Sequence, residues 1–146
     1  MKSPGPTMPP HLLVLDTNIV LDAFVFSDVA ARPLRAGLEN GSLQWIATPD
    51  MRTELARVLG YPQIVPRLSF YQLGADDVLA AFDHHARLVE PATKAPVTCS
   101  DPDDQKFIDL AVAHRCALLS KDRAVLDMRK RLLALGVVAT AVLDAG

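Results

Sequence analysis

A chain of 146 residues, half of them apolar, is long enough for one domain with a sizeable core and too apolar for a largely disordered one. Its net charge of -2 and pI near 6.0 exclude a global basic field, but not a local basic rim around an acidic, metal-filled centre. Two cysteines, Cys99 and Cys116, make no disulfide framework, and no stretch reaches membrane-spanning length, so a reduced cytoplasmic protein is the expectation.

Met1 to Pro10 is rich in proline and small residues and lacks the apolar stretch of a secretory signal. It reads as a flexible tail, which leaves 11–146 as a single domain. Leu12-Leu13-Val14-Leu15 is short, apolar and β-compatible, the pattern of a strand buried on both faces. It runs into Asp16-Thr17-Asn18, small polar residues that either cap a turn or serve a site. Residues 19 to 28 read as a mixed apolar and turn-like segment. Asp28 is placed to cap a helix from Val29 to Glu39, closed by Asn40-Gly41. Leu43 to Thr48 is a second strand, with Trp45 as a core residue.

Thr48 as N-cap and Pro49 at the first helical position open the next helix, which carries Met51, Leu55, Val58 and Leu59 inward and ends at Gly60-Tyr61-Pro62. Glu54 lies beside that apolar stripe. A short helix or irregular link follows to Leu73, then a helix from Asp76 to Arg87 and a short strand at Leu88-Val89-Glu90. His84 and His85, late in that helix, read as surface residues. After a loop, Asp101 and Pro102 start a helix with Asp104 in its first turn, which buries Phe107, Ile108, Leu110 and Ala111 and stops near His114. Ala117 to Leu119 is a brief buried strand with Ser120-Lys121-Asp122 at its carboxyl end. A helix from Asp127 to Leu135 and a strand from Val137 to Leu143 complete the chain. Strands alternating with helices predict an α/β/α sandwich around a central, mostly parallel sheet.

Two strand ends therefore carry an acid just past their apolar residues, Asp16 and Asp122, and two helices present Glu54 and Asp104. Parallel sheets gather strand ends and helix starts on one edge, where four such acids can meet. Unneutralised, they would repel one another, and an all-oxygen cluster of this kind suits Mg2+ or Mn2+ rather than zinc. Each acid also has a bland reading as a helix cap or a first-turn acid, as Asp101 and Asp103 do. Asp22, Asp76, Asp77, Asp109 and Asp144 read as solvated or capping. Thr17, Asn18 and Ser120 either support a strand-end acid or contact phosphate, or simply cap. Arg52, Arg57 and Arg67 surround the Glu54 helix, and Lys106, Lys121 and Arg123 flank Asp104 and Asp122; they form either a phosphate-facing rim or an ordinary solvated surface. No zinc spacing, phosphate-cradling glycine loop or nucleophile elbow is present.

Taken in order, Leu15-Asp16-Thr17-Asn18, the helix around Glu54-Leu55-Ala56-Arg57, Asp101-Pro102-Asp103-Asp104-Gln105-Lys106-Phe107 and Leu119-Ser120-Lys121-Asp122 resemble a PIN domain, in particular the bacterial PIN proteins classed as toxin components of toxin–antitoxin systems. The resemblance spans nearly the whole chain after the tail. It implies that Asp16, Glu54, Asp104 and Asp122 are the catalytic and metal-holding acids, with Ser120 as the small hydroxyl residue near the last of them. It implies an endoribonuclease dependent on Mg2+ or Mn2+ that leaves 5′-phosphate and 3′-hydroxyl ends, often as a homodimer. A cognate antitoxin, part of which enters the groove, would hold it inactive. The apolar surface of the helices between Thr48 and Arg87 is the expected dimer or antitoxin face.

The chain departs from that pattern in two places. Lys121 stands where many members have glycine, and its amine would either occupy a metal position or pair with an acid. Arg123-Ala124 brings no fifth acid, which points to a one-metal or weakened enzyme. Two other functions stay open: a PIN-fold binding protein without activity, and a magnesium-dependent phosphatase using Asp16 as nucleophile, against which Asn18 stands where such enzymes carry a second acid.

Overall fold

The computed structural model describes residues 10–143. The tail therefore lies almost wholly outside the described residues, as does Asp144. Strand β1 (His11–Leu15) is followed directly by α1 (Thr17–Phe24), then a 3-10 turn at Val29–Ala31, α2 (Arg32–Asn40) and β2 (Leu43–Ala47). Next come α3 (Pro49–Leu59), α4 (Val65–Phe70), α5 (Ala75–His85) and β3 (Ala86–Leu88). A second 3-10 turn at Pro102–Asp104 leads into α6 (Gln105–His114), and β4 (Ala117–Leu119), α7 (Arg123–Leu126), α8 (Arg129–Ala134) and β5 (Ala139–Thr140) close the order.

All five strands are parallel, in the order β3-β2-β1-β4-β5. β1 is the middle strand, which is why Leu13, Val14 and Leu15 are buried on both faces. Chain order runs outward from β1 through β2 to β3, then jumps back to β4 and continues to β5. Right-handed crossovers place the helices of the two legs on opposite faces, giving a sheet flanked by helices on both sides. α6 packs on β1 and β4, and α2 on β2. The connection reverses between β1 and β4, and a crevice opens at the carboxyl ends of such a pair. Asp16 and Asp122 stand at those ends.

The core confirms Trp45 as an interior residue: its ring stacks on Phe24 at 6.1 Å and meets Phe82 edge-on at 4.9 Å. Several expected elements shift. The first part of the segment expected as mixed apolar and turn-like is helical, α1 running on from Thr17 to Phe24, because Asp16 caps the helix and the apolar residues Ile19, Val20, Ala23 and Phe24 face the core. Asp28 caps only the 3-10 turn, and α2 starts after it at Arg32. The strand expected at 88–90 is centred earlier, since Ala86, Arg87 and Leu88 pair with Trp45, Ile46 and Ala47. The helix expected over 127–135 shortens to α8, and a further short helix, α7, forms ahead of it where Asp122 caps Arg123–Leu126. The final strand shrinks to Ala139–Thr140, which pair with Leu118 and Leu119 of β4. His85 is half-buried on the Phe24 ring, whereas His84 is exposed.

Candidate metal centre

Burying polar atoms at a strand end costs free energy unless each finds a partner. The backbone N–H of Asp16 donates to Leu119 C=O at 3.0 Å, the last rung between β1 and β4. Its side chain then caps α1, Oδ1 accepting from the Asn18 N–H at 2.9 Å. The other oxygen, Oδ2, accepts from the Ser120 hydroxyl at 2.8 Å. Ser120 is wholly buried, and its Oγ in turn accepts from the Asp122 N–H at 3.0 Å. Asp122 caps α7 through Oδ1, which accepts from the Ala124 N–H at 2.9 Å. The capping reading and the site reading of Asp16 and Asp122 thus hold together: one oxygen fixes the local backbone and the carboxylate still faces the crevice.

Asp104 differs. Asp101 caps the turn ahead of it, accepting from the Asp103 N–H at 2.9 Å, and the Asp104 side chain caps nothing. Asp104 is buried, yet its Oδ2 has no hydrogen-bond partner. Asp16, Asp104 and Asp122 each bring one carboxylate oxygen within 4.8 Å of the others. Burial, the adjoining Asp122 carboxyl and the charges of Asp16 and Asp122 push the Asp104 pKa up to about 8. Burial also raises Asp16, against the lowering pull of its hydrogen bonds from Asn18 and Ser120. Such a trio is costly with all three members ionised; either a proton or a cation must offset the repulsion. An orphaned, buried carboxylate oxygen amid all-oxygen donors fits a hard divalent cation such as Mg2+ or Mn2+.

A family model described as PIN domain matches residues 12–124, which include Asp16, Glu54, Asp104 and Asp122. The chain belongs to the PIN domain family. No curated protein matches it. PIN domains are usually nucleases that use divalent metals, and the acid cluster of this PIN domain is consistent with that chemistry.

Glu54 borders the same cleft but stands outside the three-acid cluster of this PIN domain. Its Oε2 accepts from the Thr17 hydroxyl at 2.6 Å, and its Oε1 pairs with Lys106 Nζ at 2.5 Å. The cleft, about 230 Å³, is lined further by Thr17, Asn18, Arg57, Val58, Tyr61 and Asp103. Of the basic residues expected as a rim, Arg57 lines it. Arg52 instead grips Asp83 through two hydrogen bonds, Arg67 lies over the Phe26 ring, and Arg123 pairs with Asp127. Lys121 reaches neither the cleft nor any of the three clustered acids; it pairs with Asp22 at 2.6 Å. Asp22 is accordingly buried and paired, not solvated, because α1 points it toward the loop after β4. Asp109 is likewise held inside, accepting from the Ala95 N–H and the Gln105 amide. Thr48 precedes α3 as expected but makes no side-chain capping bond, and its hydroxyl is buried without a partner. Cys99 is buried and lies outside the acid cluster.

Sequence reasoning missed Tyr61 as a cleft residue, since Gly60-Tyr61-Pro62 signals only a helix end. It placed Lys106 on the rim from proximity to Asp104, and nothing in spacing pairs it with Glu54, 52 positions earlier.

Proposed function

We propose that this chain is an endoribonuclease dependent on Mg2+ or Mn2+, and a toxin component of a toxin–antitoxin system. The observation that carries the nuclease reading is the trio Asp16, Asp104 and Asp122 at the crevice, with a buried Asp104 oxygen left unpartnered. When bound there, a divalent ion supplies positive charge for a phosphodiester and lowers the pKa of a water. The residues of the chain do the positioning. Ser120 ties Asp16 to Asp122, so that the two strand-end carboxylates keep a fixed separation. Arg57 at the cleft wall offers a guanidinium to phosphate, and the Tyr61 ring beside it offers a face to a base.

The toxin role rests on the resemblance of the motifs around Asp16, Glu54, Asp104 and Asp122 to bacterial toxin PIN proteins. It brings with it RNA as substrate, a homodimer, cytoplasmic action and an antitoxin segment entering the groove. Among the described residues no helix is long and apolar enough to cross a membrane. Against the phosphatase reading stands Asn18, two residues after Asp16, where such enzymes carry a second acid.

Cleavage of a structured RNA pool with Mg2+ or Mn2+, wild type beside Asp16→Asn, tests the nuclease reading. The expected outcome is metal-dependent cutting that falls about 10³-fold in the variant, the scale of several kcal/mol of lost charge stabilisation. Equal behaviour of the two proteins, with no Mn2+ bound by calorimetry, would leave a PIN-fold binding protein. Growth arrest on induced expression, relieved by a co-expressed antitoxin, tests the toxin role.

A further inference from the structure

Resting on the metal-centre reading above, we propose that the Lys106 ammonium is the built-in second cation of this site, so that the acids take one divalent ion and not two. Five carboxylate residues border the cleft, Asp16, Glu54, Asp103, Asp104 and Asp122, but only Asp16, Asp104 and Asp122 bring oxygens together. Of the other two, Glu54 already holds a cation: its Oε1 accepts from the Lys106 ammonium at 2.5 Å, and its Oε2 from the Thr17 hydroxyl at 2.6 Å.

The ammonium is fixed from three sides. Besides Glu54 it donates to the Asp103 carbonyl at 2.8 Å, and it lies over the Phe107 ring at 4.9 Å. Asp103 belongs to the 3-10 turn that presents Asp104, so this contact ties the lysine to the same backbone as a clustered acid. Lys106 and Glu54 are both largely shielded, with side-chain exposures of 27% and 19%, where a charge pair is screened far less than at the surface. A second divalent ion at Glu54 would stand against this ammonium, like charge on like charge, and would have to displace it from the carboxylate. The positive charge that a second ion would bring is already present as Lys106, paired with Glu54 of α3 at the border of the cleft.

Manganese binding decides it. Calorimetry gives the stoichiometry and affinity, and electron paramagnetic resonance counts the unbound ion. Wild type and Lys106→Arg are each expected to bind one Mn2+ per chain, and folded Lys106→Met two. Glu54→Gln is expected to keep one ion at nearly unchanged affinity, far short of the roughly 10- to 100-fold loss that follows removal of a ligand's supporting partner. Two ions on the wild type, or one on a Lys106→Met protein whose circular dichroism matches wild type, would overturn the proposal. So would a tenfold or greater loss of affinity in Glu54→Gln, the arm that decides if Lys106→Met does not fold. A wild type that binds no Mn2+ at all would overturn the metal-centre reading itself, a result distinct from binding the wrong number.

Discussion

Among the described residues stand two short lysine–carboxylate pairs, Lys106 with Glu54 and Lys121 with Asp22, at 2.5 Å and 2.6 Å. In sequence they look alike, each lysine standing within two residues of a strand-end or helix-start acid, Asp104 or Asp122. In space they differ. Glu54 borders the acid cleft, whereas Asp22 and Lys121 line a separate small cavity with Ile19, Leu34 and Leu119. Lys121 sits on the far side of the chain from its neighbour Asp122 because consecutive residues in an extended segment point opposite ways. The Lys121 pair therefore clamps α1 to the loop after β4, whereas the Lys106 pair stands at the border of the acid cleft. The same chemistry joins two structural elements in one place and, under the proposal above, sets the charge of the site in the other.

Disturbing each part should separate the two roles. The largest effect is expected at Ser120, the link between two clustered acids. Ser120→Ala removes the donor to Asp16 Oδ2 and the acceptor for the Asp122 N–H, and Mn2+ affinity measured by calorimetry should fall about 10- to 100-fold. An unchanged affinity would mean that the acids hold their places without it.

The next effect is a pH dependence. With a folded pKa of about 8 against an ordinary 3.8, Asp104 keeps a proton that the unfolded chain has lost. Its contribution to stability without metal is full below the ordinary carboxylate range, declines as pH rises, and is gone above about pH 8. Thermal unfolding in chelator should show that decline, and Asp104→Asn should flatten it. Because a divalent ion competes with the same proton, the rise in melting temperature on adding Mn2+ should be larger near pH 8.5 than near about pH 6. The opposite order would place the proton elsewhere.

Smaller still is the Lys121 pair. Lys121→Met leaves Asp22, nearly buried, without its counter-charge, and should cost about 1 kcal/mol once screening of the half-exposed lysine is allowed for. Denaturant unfolding measures that loss, while Mn2+ affinity should stay at the wild-type value. A loss of metal binding instead would draw Lys121 into the site. The least effect is expected at Arg52, whose bond to exposed Asp83 lowers that carboxyl's pKa on the surface only. Arg52→Ala should leave both melting temperature and metal binding unchanged within error.

Much of this arrangement is legible in the sequence. The apolar run Leu12 to Leu15 dictates a doubly buried strand, because only a middle strand of a parallel sheet uses apolar residues on both faces. Capping chemistry at Pro49 and Asp101 and the glycine stops at Gly41 and Gly60 set the end of α2, both ends of α3 and the 3-10 turn that leads into α6, since these rest on local backbone conformation. The polar residues after β1 and β4 were legible as site candidates for the same local reason. What local chemistry does not set is which strands become neighbours and where a long side chain ends. The order β3-β2-β1-β4-β5 brings Asp16 against Ser120 across 104 positions, and helix packing hands Glu54 to Lys106 and Asp22 to Lys121. The short elements follow the same logic: α7 has four residues and β5 two, too few for a periodic signal, and they exist because neighbouring elements satisfy their backbones. Sequence alone supplied the acids and the strand ends that carry them; tertiary structure decided which carboxylate is left unpartnered, because that depends on every group packed around it.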